Sequence, residues 1–280
     1  MTSGPDADAE RAATGSAPSP TERARHVWSI GSYEAIAPDF LPMAGHLVRA
    51  ADVGDGDEVL DVACGTGNAA ITAARRGARV TGVDITPSML EGARENAAVA
   101  GVEDVTWLEG DAADLPLPDD AFDATFSCVG HVFAEPPAAT ARELLRVTRP
   151  GGRVAFTSWT PESVVPAMAK SLQAFLPPDP DPSPPPVAWG APDVVRERLG
   201  DRVEDLAFET GTVLPRAVSP AHFWEDVRRD SGLFILPLEA VDEADRAALH
   251  REMVETVDRF FDGDENAVRM AYRVATATVA

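Results

Sequence analysis

A chain of 280 residues with 45% hydrophobic content can fill a real core, enough for one large α/β domain or one domain carrying a cap. The formal net charge of −22, from 46 acidic against 24 basic residues, sets the surface against phosphate backbones and anionic lipid, so neither nucleic acid nor a membrane surface is expected as a partner. Two cysteines make no disulfide framework, no apolar run approaches the roughly 20 residues of a membrane helix, and the first residues lack a signal peptide's basic start, so a cytoplasmic location is expected.

Arginine supplies nearly all the positive charge, Lys170 being the sole lysine. The acidity suits solubility, including at high salt, where self-repulsion is screened.

Residues 1–20 are rich in Ala, Ser, Pro, Asp and Gly without an apolar period and are expected to be a disordered tail. Residues 21–54 read as a helical cap, with a helix start at Thr21-Glu22-Arg23, helical apolar spacing over 38–51, and Trp28 and Tyr33 between. From 55 to 160 the pattern becomes regular. It predicts a strand over 58–63, a helix over 68–76 ended by Gly77, a strand over 78–83, a helix over 87–100, strands over 105–109 and 122–128, a helix over 137–148 and a strand over 153–159. Strands alternating with helices imply a doubly wound α/β fold with right-handed crossovers and helices on both faces. Residues 161–280 open with a proline-rich stretch, 176–187, which proline bars from regular structure. They continue with a helix over 192–199, a strand over 203–213, helices over 220–229 and 241–261, and a final strand over 269–279, the two strands finishing the sheet.

In open α/β sheets the ligand sits at the carboxyl ends of the strands where strand order reverses, so the residues after the first strand matter most. They read Asp61-Val-Ala-Cys-Gly65-Thr-Gly67-Asn68. Gly65 and Gly67 permit a tight turn, and the helix beginning near Asn68 points its amides at a ligand. The run from Gly65 to Ala70 also satisfies the dinucleotide pattern with alanine in third place, so a dinucleotide-dependent oxidoreductase stands as an alternative. Charge separates the two readings. A pyrophosphate dianion at this turn would be repelled by Asp61, whereas the ammonium and sulfonium of S-adenosylmethionine would be attracted. Asp84 closes the second strand, where a carboxylate accepts ribose hydroxyls, and Asp111 follows the third, within reach of an adenine amino group.

With these motifs, and with the segments 83–90 (VDITPSML), 110–123 (GDAADLPLPDDAFD) and 144–156 (LLRVTRPGGRVAF), the chain resembles the class I S-adenosylmethionine-dependent methyltransferases. The nearest group includes quinone-biosynthesis C-methyltransferases, and the likeness covers residues 58–159. It implies a Rossmann-like seven-stranded sheet in the order 3-2-1-4-5-7-6, its last strand antiparallel, and S-adenosylmethionine as cofactor. By that resemblance Asp61, Ala63, Gly65 and Gly67 line the methionine end, and Ala63 stands where many members carry a first glycine. Asp84 and Ile85 hold the ribose and flank the adenine, Asp111 and Ala112 meet the adenine, Met89 packs on its edge, and Cys128 lies beside the cofactor. Trp28 and Tyr33 close over it from the cap.

Plainer readings stand beside these. Asp61 and Asp111 would also serve as caps of helices or turns, Cys128 as an ordinary buried thiol, and Trp28 and Tyr33 as anchors of the cap. Methyl transfer from a sulfonium mainly needs alignment, but a phenol, hydroxyl or acidic carbon benefits from a general base. His131, just after the fourth strand, is the candidate, with Glu135 second; the alternative is a histidine that only binds loop backbone. Phe223, Trp224, Phe234, Phe260 and Phe261 either wall an apolar acceptor pocket or pack the core. The five histidines show no ligand spacing, so no metal is expected. The expectation is therefore methyl transfer to an oxygen, carbon or nitrogen nucleophile of a small-molecule acceptor, with a non-catalytic cofactor-binding protein as a further alternative on the same fold.

Overall fold

The computed structural model describes residues 19–177 and 185–280. The expected tail up to residue 18 and the middle of the proline-rich stretch lie outside the described residues. One sheet is built from β1 (Glu58–Val62), β2 (Arg79–Asp84), β3 (Val105–Glu109), β4 (Phe122–Cys128), β5 (Thr148–Trp159), β6 (Val203–Val213) and β7 (Met270–Val279). Its order is β3-β2-β1-β4-β5-β7-β6, with β7 antiparallel to both neighbours, as the resemblance implied. β1 is an almost unbroken apolar run because it is covered on both faces, whereas β6, at the edge, alternates towards solvent. β5 begins earlier than residue 153 because Thr148 already pairs with Phe122 across a register shift.

The helices are α1 (Pro20–Trp28), α2 (Tyr33–Ile36), α3 (Leu41–Ala50), α4 (Asn68–Ala74), α5 (Pro87–Ala100), α6 (Pro137–Val147), α7 (Val164–Gln173), α8 (Pro192–Leu199), α9 (Pro220–Asp230), α10 (Gly232–Glu239) and α11 (Arg246–Asp258). The sequence reading lacked α7 and α10 and drew α11 too long. On one face, Met43, Leu47 and Val48 of α3 and Ala70 of α4 pack on Phe126 and Ala155 of the sheet, and the same core takes in Met168 of α7, Phe223 of α9 and Met253 of α11. On the other, Leu144 and Leu145 of α6 and Val195 and Leu199 of α8 pack on Leu60, Val62 and Phe156. Each such fully buried side chain contributes about 1.5–3 kcal/mol.

The cap is held at both ends. Ser19 Oγ accepts from the Glu22 amide at 3.2 Å while Glu22 returns a carboxylate oxygen to the Ser19 amide at 2.7 Å, a reciprocal box that starts α1. Beyond α1, Ser32 N donates to Asp230 O at 3.0 Å. A Cβ on Gly232 would strike Val27 O, so this joint closes only around glycine. Among the described residues no helix is long and apolar enough to cross a membrane.

Candidate functional site

Chain order reverses between β1 and β4, so the segments leaving their carboxyl ends part and open a crevice. After β1, Gly67 takes φ 87° as the N-cap of α4, and a Cβ there would come within 2.8 Å of Trp107. Asp61, 1% exposed, accepts from Ala70 N at 2.8 Å through Oδ2 and so caps α4 from below. Its Oδ1 is buried without a partner, and burial pushes the carboxyl well above the usual carboxylate range.

Where the loops after β1 and β4 approach each other, Ala63 and Val129 both take positive φ, at 53° and 66°. Gly130 makes room for this approach, since a Cβ there would lie 2.6 Å from Ala63 O. Left-handed backbone costs a non-glycine residue about 1–2 kcal/mol. Ala63→Gly is expected to recover about 0.5–1 kcal/mol of it after the added freedom of the unfolded chain, raising the thermal midpoint by about 1–3 °C in calorimetry. A fall in the midpoint would show that the methyl's packing outweighs the strain.

At the end of β2, Asp84 accepts from Gly65 N at 2.8 Å and from Thr86 N at 2.9 Å, and burial raises its pKa against the opposing pull of those amides. At the end of β3, Asp111 accepts from Ala113 N at 2.9 Å and from Thr21 Oγ1 of α1 at 2.7 Å. The loop that carries Asp111 and Ala112 is clamped from behind. Arg146 donates to Leu115 O at 3.1 Å and Leu117 O at 2.8 Å while pairing with Glu143 and Asp119, and Glu143 accepts from Leu115 N. α1 lies across this end, with Arg25 donating to Ile85 O at 3.0 Å and to Glu109 at 2.6 Å.

Trp28 of α1 meets Tyr33 edge-on at 5.8 Å and Phe133 at 4.9 Å. Burial, then Cys128 and Asp84, push the Tyr33 hydroxyl up and keep it protonated. Burial likewise pushes the Cys128 thiol up to about 12.

Trp28, Tyr33, Ala63, Gly65, Asp84, Ile85, Met89, Asp111, Ala112 and Cys128 line one cleft of about 1650 Å³, part of it open to solvent. Asp61 and Gly67 are outside that lining and shape the loop instead. Apolar side chains from the cap, the ends of β5 and β7, α7, α9 and α10 line the same cleft: Ile36, Phe40, Trp159, Val165, Met168, Phe223, Val227, Leu233, Phe234 and Met270, with Asp39 among them. Of the five expected aromatics, Phe223 and Phe234 are walls. Trp224 is 1% exposed with its ring edge-on to Phe234, and Phe260 and Phe261 pack against the core. Asp39, Phe40, Trp159, Val165 and Met168 were not expected: Asp39 and Phe40 follow Pro38, Trp159 ends the expected strand over 153–159, and Val165 and Met168 lie on α7, which the sequence pattern did not announce.

His131 is not at the cleft, which corrects the expectation of a general base. Its amide donates to Ser127 Oγ at 3.0 Å, and its ring is fully buried on the opposite side, 4.7 Å from both Phe156 and Trp189 with neither nitrogen bonded. Burial lowers its pKa to about 3. Glu135 does line the cleft. Among the described residues no group of three or more His, Cys, Asp or Glu could hold a metal ion.

Residues 59–152 match the family described as methyltransferase domain. An uncharacterized protein of Mycobacterium tuberculosis is 39% identical over 195 residues, covering 69% of this chain and 71% of that protein. The malonyl-[acyl-carrier protein] O-methyltransferase of Serratia marcescens is 37% identical over 130 residues, 46% of this chain and 49% of its own length. Among solved structures, the YcgJ protein of Bacillus subtilis superposes with a TM-score of 0.55 at 19% identity, over 85% of this chain and 98% of that one, a likeness of fold. The chain belongs to the class I S-adenosylmethionine-dependent methyltransferases.

Proposed function

We propose that the protein transfers the methyl group of S-adenosylmethionine to a small-molecule acceptor. The observation that supports this reading best is a single cleft with an acidic half at the ends of β2 and β3 and an apolar half beyond it. The acidic half fits the cofactor. The partnerless Oδ1 of Asp61, behind Ala63 and Gly65, suits the pull of an ammonium. Asp84 gives two of its lone-pair positions to Gly65 and Thr86 and keeps others for ribose hydroxyls. Asp111 and Ala112 meet the adenine, Ile85 and Met89 flank it, and Trp28, Tyr33 and Cys128 enclose the side towards the acceptor. A dinucleotide would also use a ribose-binding carboxylate such as Asp84, but it would bring its pyrophosphate to the turn after β1, over Asp61.

Bound S-adenosylmethionine supplies a methyl on a sulfonium, whose leaving group is already activated. The chain adds alignment and exclusion of water: Tyr33 and Trp28 close one side, and Phe40 and Trp159, edge-on at 5.7 Å, hold the acceptor on the other. A surface of net charge −22 favours a small molecule over nucleic acid.

Calorimetric titration at several salt concentrations tests the reading. S-adenosylmethionine and S-adenosylhomocysteine are expected to bind and nicotinamide dinucleotides to stay silent, and a broad pool of small acceptors is expected to release S-adenosylhomocysteine catalytically. Dinucleotide binding, or cofactor binding with no release from any acceptor, would overturn it.

A further inference from the structure

Charge and shape in the acceptor half of the cleft select a class of ligand, an inference that rests on the methyl-transfer reading above. The walls are aromatic and apolar, among them Phe40, Trp159, Phe223 and Phe234. The ionisable side chains along the whole cleft are carboxyls apart from a tyrosine and two cysteines. Asp39, Asp84, Asp111 and Glu135 line the cleft, and among the described residues no lysine, arginine or histidine joins them. Asp39 belongs to the turn over 37–40, which Asn68 ties to the start of α4 by donating to Ala37 O at 2.7 Å. That bond places the turn bearing Asp39 beside the loop after β1. Asp39 keeps solvent access at the rim, while desolvation and the facing Asp226 of α9 raise its pKa.

We propose that the methyl acceptor is a hydrophobic amine, held between the aromatic walls with its nitrogen at Asp39. A carboxylate or phosphate ester would be desolvated against carboxylates with no counter-ion. A phenol would have to ionise where the Tyr33 hydroxyl and the Cys128 thiol are both held protonated. An ammonium is drawn in by the same field, pairs with Asp39, and finds aromatic faces that stabilise a cation. Deprotonated, its nitrogen lone pair forms the new N–C bond as the C–S bond breaks and the electrons leave on sulfur. The proton freed from the nitrogen passes to the Asp39 carboxylate and from the rim to water.

The test titrates naphthylmethylamine, naphthol and naphthoate into protein saturated with S-adenosylhomocysteine. The amine is expected to bind at least roughly tenfold tighter than the other two, and Asp39→Asn to remove that preference while leaving S-adenosylhomocysteine binding intact. With S-adenosylmethionine in place of the product, mass spectrometry is expected to find the N-methylated amine. Equal or tighter binding of naphthol or naphthoate, an unchanged amine affinity in Asp39→Asn, or no binding by any of the three overturns the proposal. Failure of S-adenosylhomocysteine itself to bind would instead reject the methyl-transfer reading.

Discussion

Asp84→Ala is expected to weaken S-adenosylhomocysteine binding by roughly 100-fold, because hydrogen bonds to a charged acceptor contribute about 1.5–3 kcal/mol each. The carboxylate has two tasks. On the proposed function it would offer its free lone pairs to the ribose, and it orients Gly65 N, 2.8 Å away, in the loop after β1. Both are lost with alanine. Asp84→Asn keeps the shape and one acceptor oxygen, so it should fall between the two. Because Asp84 is 7% exposed and its ionisation is opposed by burial, the variant is expected to fold, and melting curves establish that before affinities are compared. A folded Asp84→Ala that binds S-adenosylhomocysteine as tightly as the parent would remove Asp84 from the site.

Acidification is expected to destabilise the fold through His131. Its pKa is lowered from 6.5 to about 3, so between those values the unfolded chain binds the proton and the folded one does not. The contribution is fully present above pH 6.5 and is lost as pH falls towards 3. At pH 5 the loss is about 2 kcal/mol, from 1.36 kcal/mol per pKa unit. Asp39, Asp61 and Asp84, whose pKa values are raised, act with the opposite sign. The comparison that isolates the histidine is therefore urea unfolding of the parent and of His131→Phe at pH 7.5 and 5. The variant should lose less stability between the two, and equal losses would show that the ring is not held neutral.

The βαβ unit around Asp61 and Asp84 was legible because every level agreed there: apolar strands, glycines at the turn, and a helix with small residues. α10, sequence GLFILPLE, hid because it is apolar almost all round and contains Pro237, which leaves no amphipathic stripe to read; contacts with α1 and α9 make it a helix. α7 carries Pro166 in its first turn, which masked the helical spacing of its buried Val164, Met168 and Leu172. The acceptor walls were therefore only partly read: Phe223 and Phe234 stood among the candidate aromatics, whereas Val165, Met168 and Leu233 lie on these two helices and did not. His131 was misplaced for a related reason. The strand end was located correctly, but a single 3₁₀ turn over Gly130–Phe133 points the ring to the opposite side, where Trp189 covers it. Trp189 arrives from beyond the proline-rich stretch, a partnership that no local pattern encodes.

α1 touches Asp111, Glu109 and Ile85 at one end of the cleft, and the segment following it meets Asp230 at the other, yet none of the helix's own residues is fully buried. Its free energy of detachment therefore sits near the low end of the range of local openings, well below that of the sheet beneath it. With the cofactor seated as proposed, release of this nine-residue surface helix would open the cleft while the carboxylates at the strand ends stay in place. The Arg25–Glu109 pair that helps to hold it down is about half exposed on both sides, so added salt weakens this tether and leaves the apolar contacts of Trp28 as the larger share of what holds the helix in place.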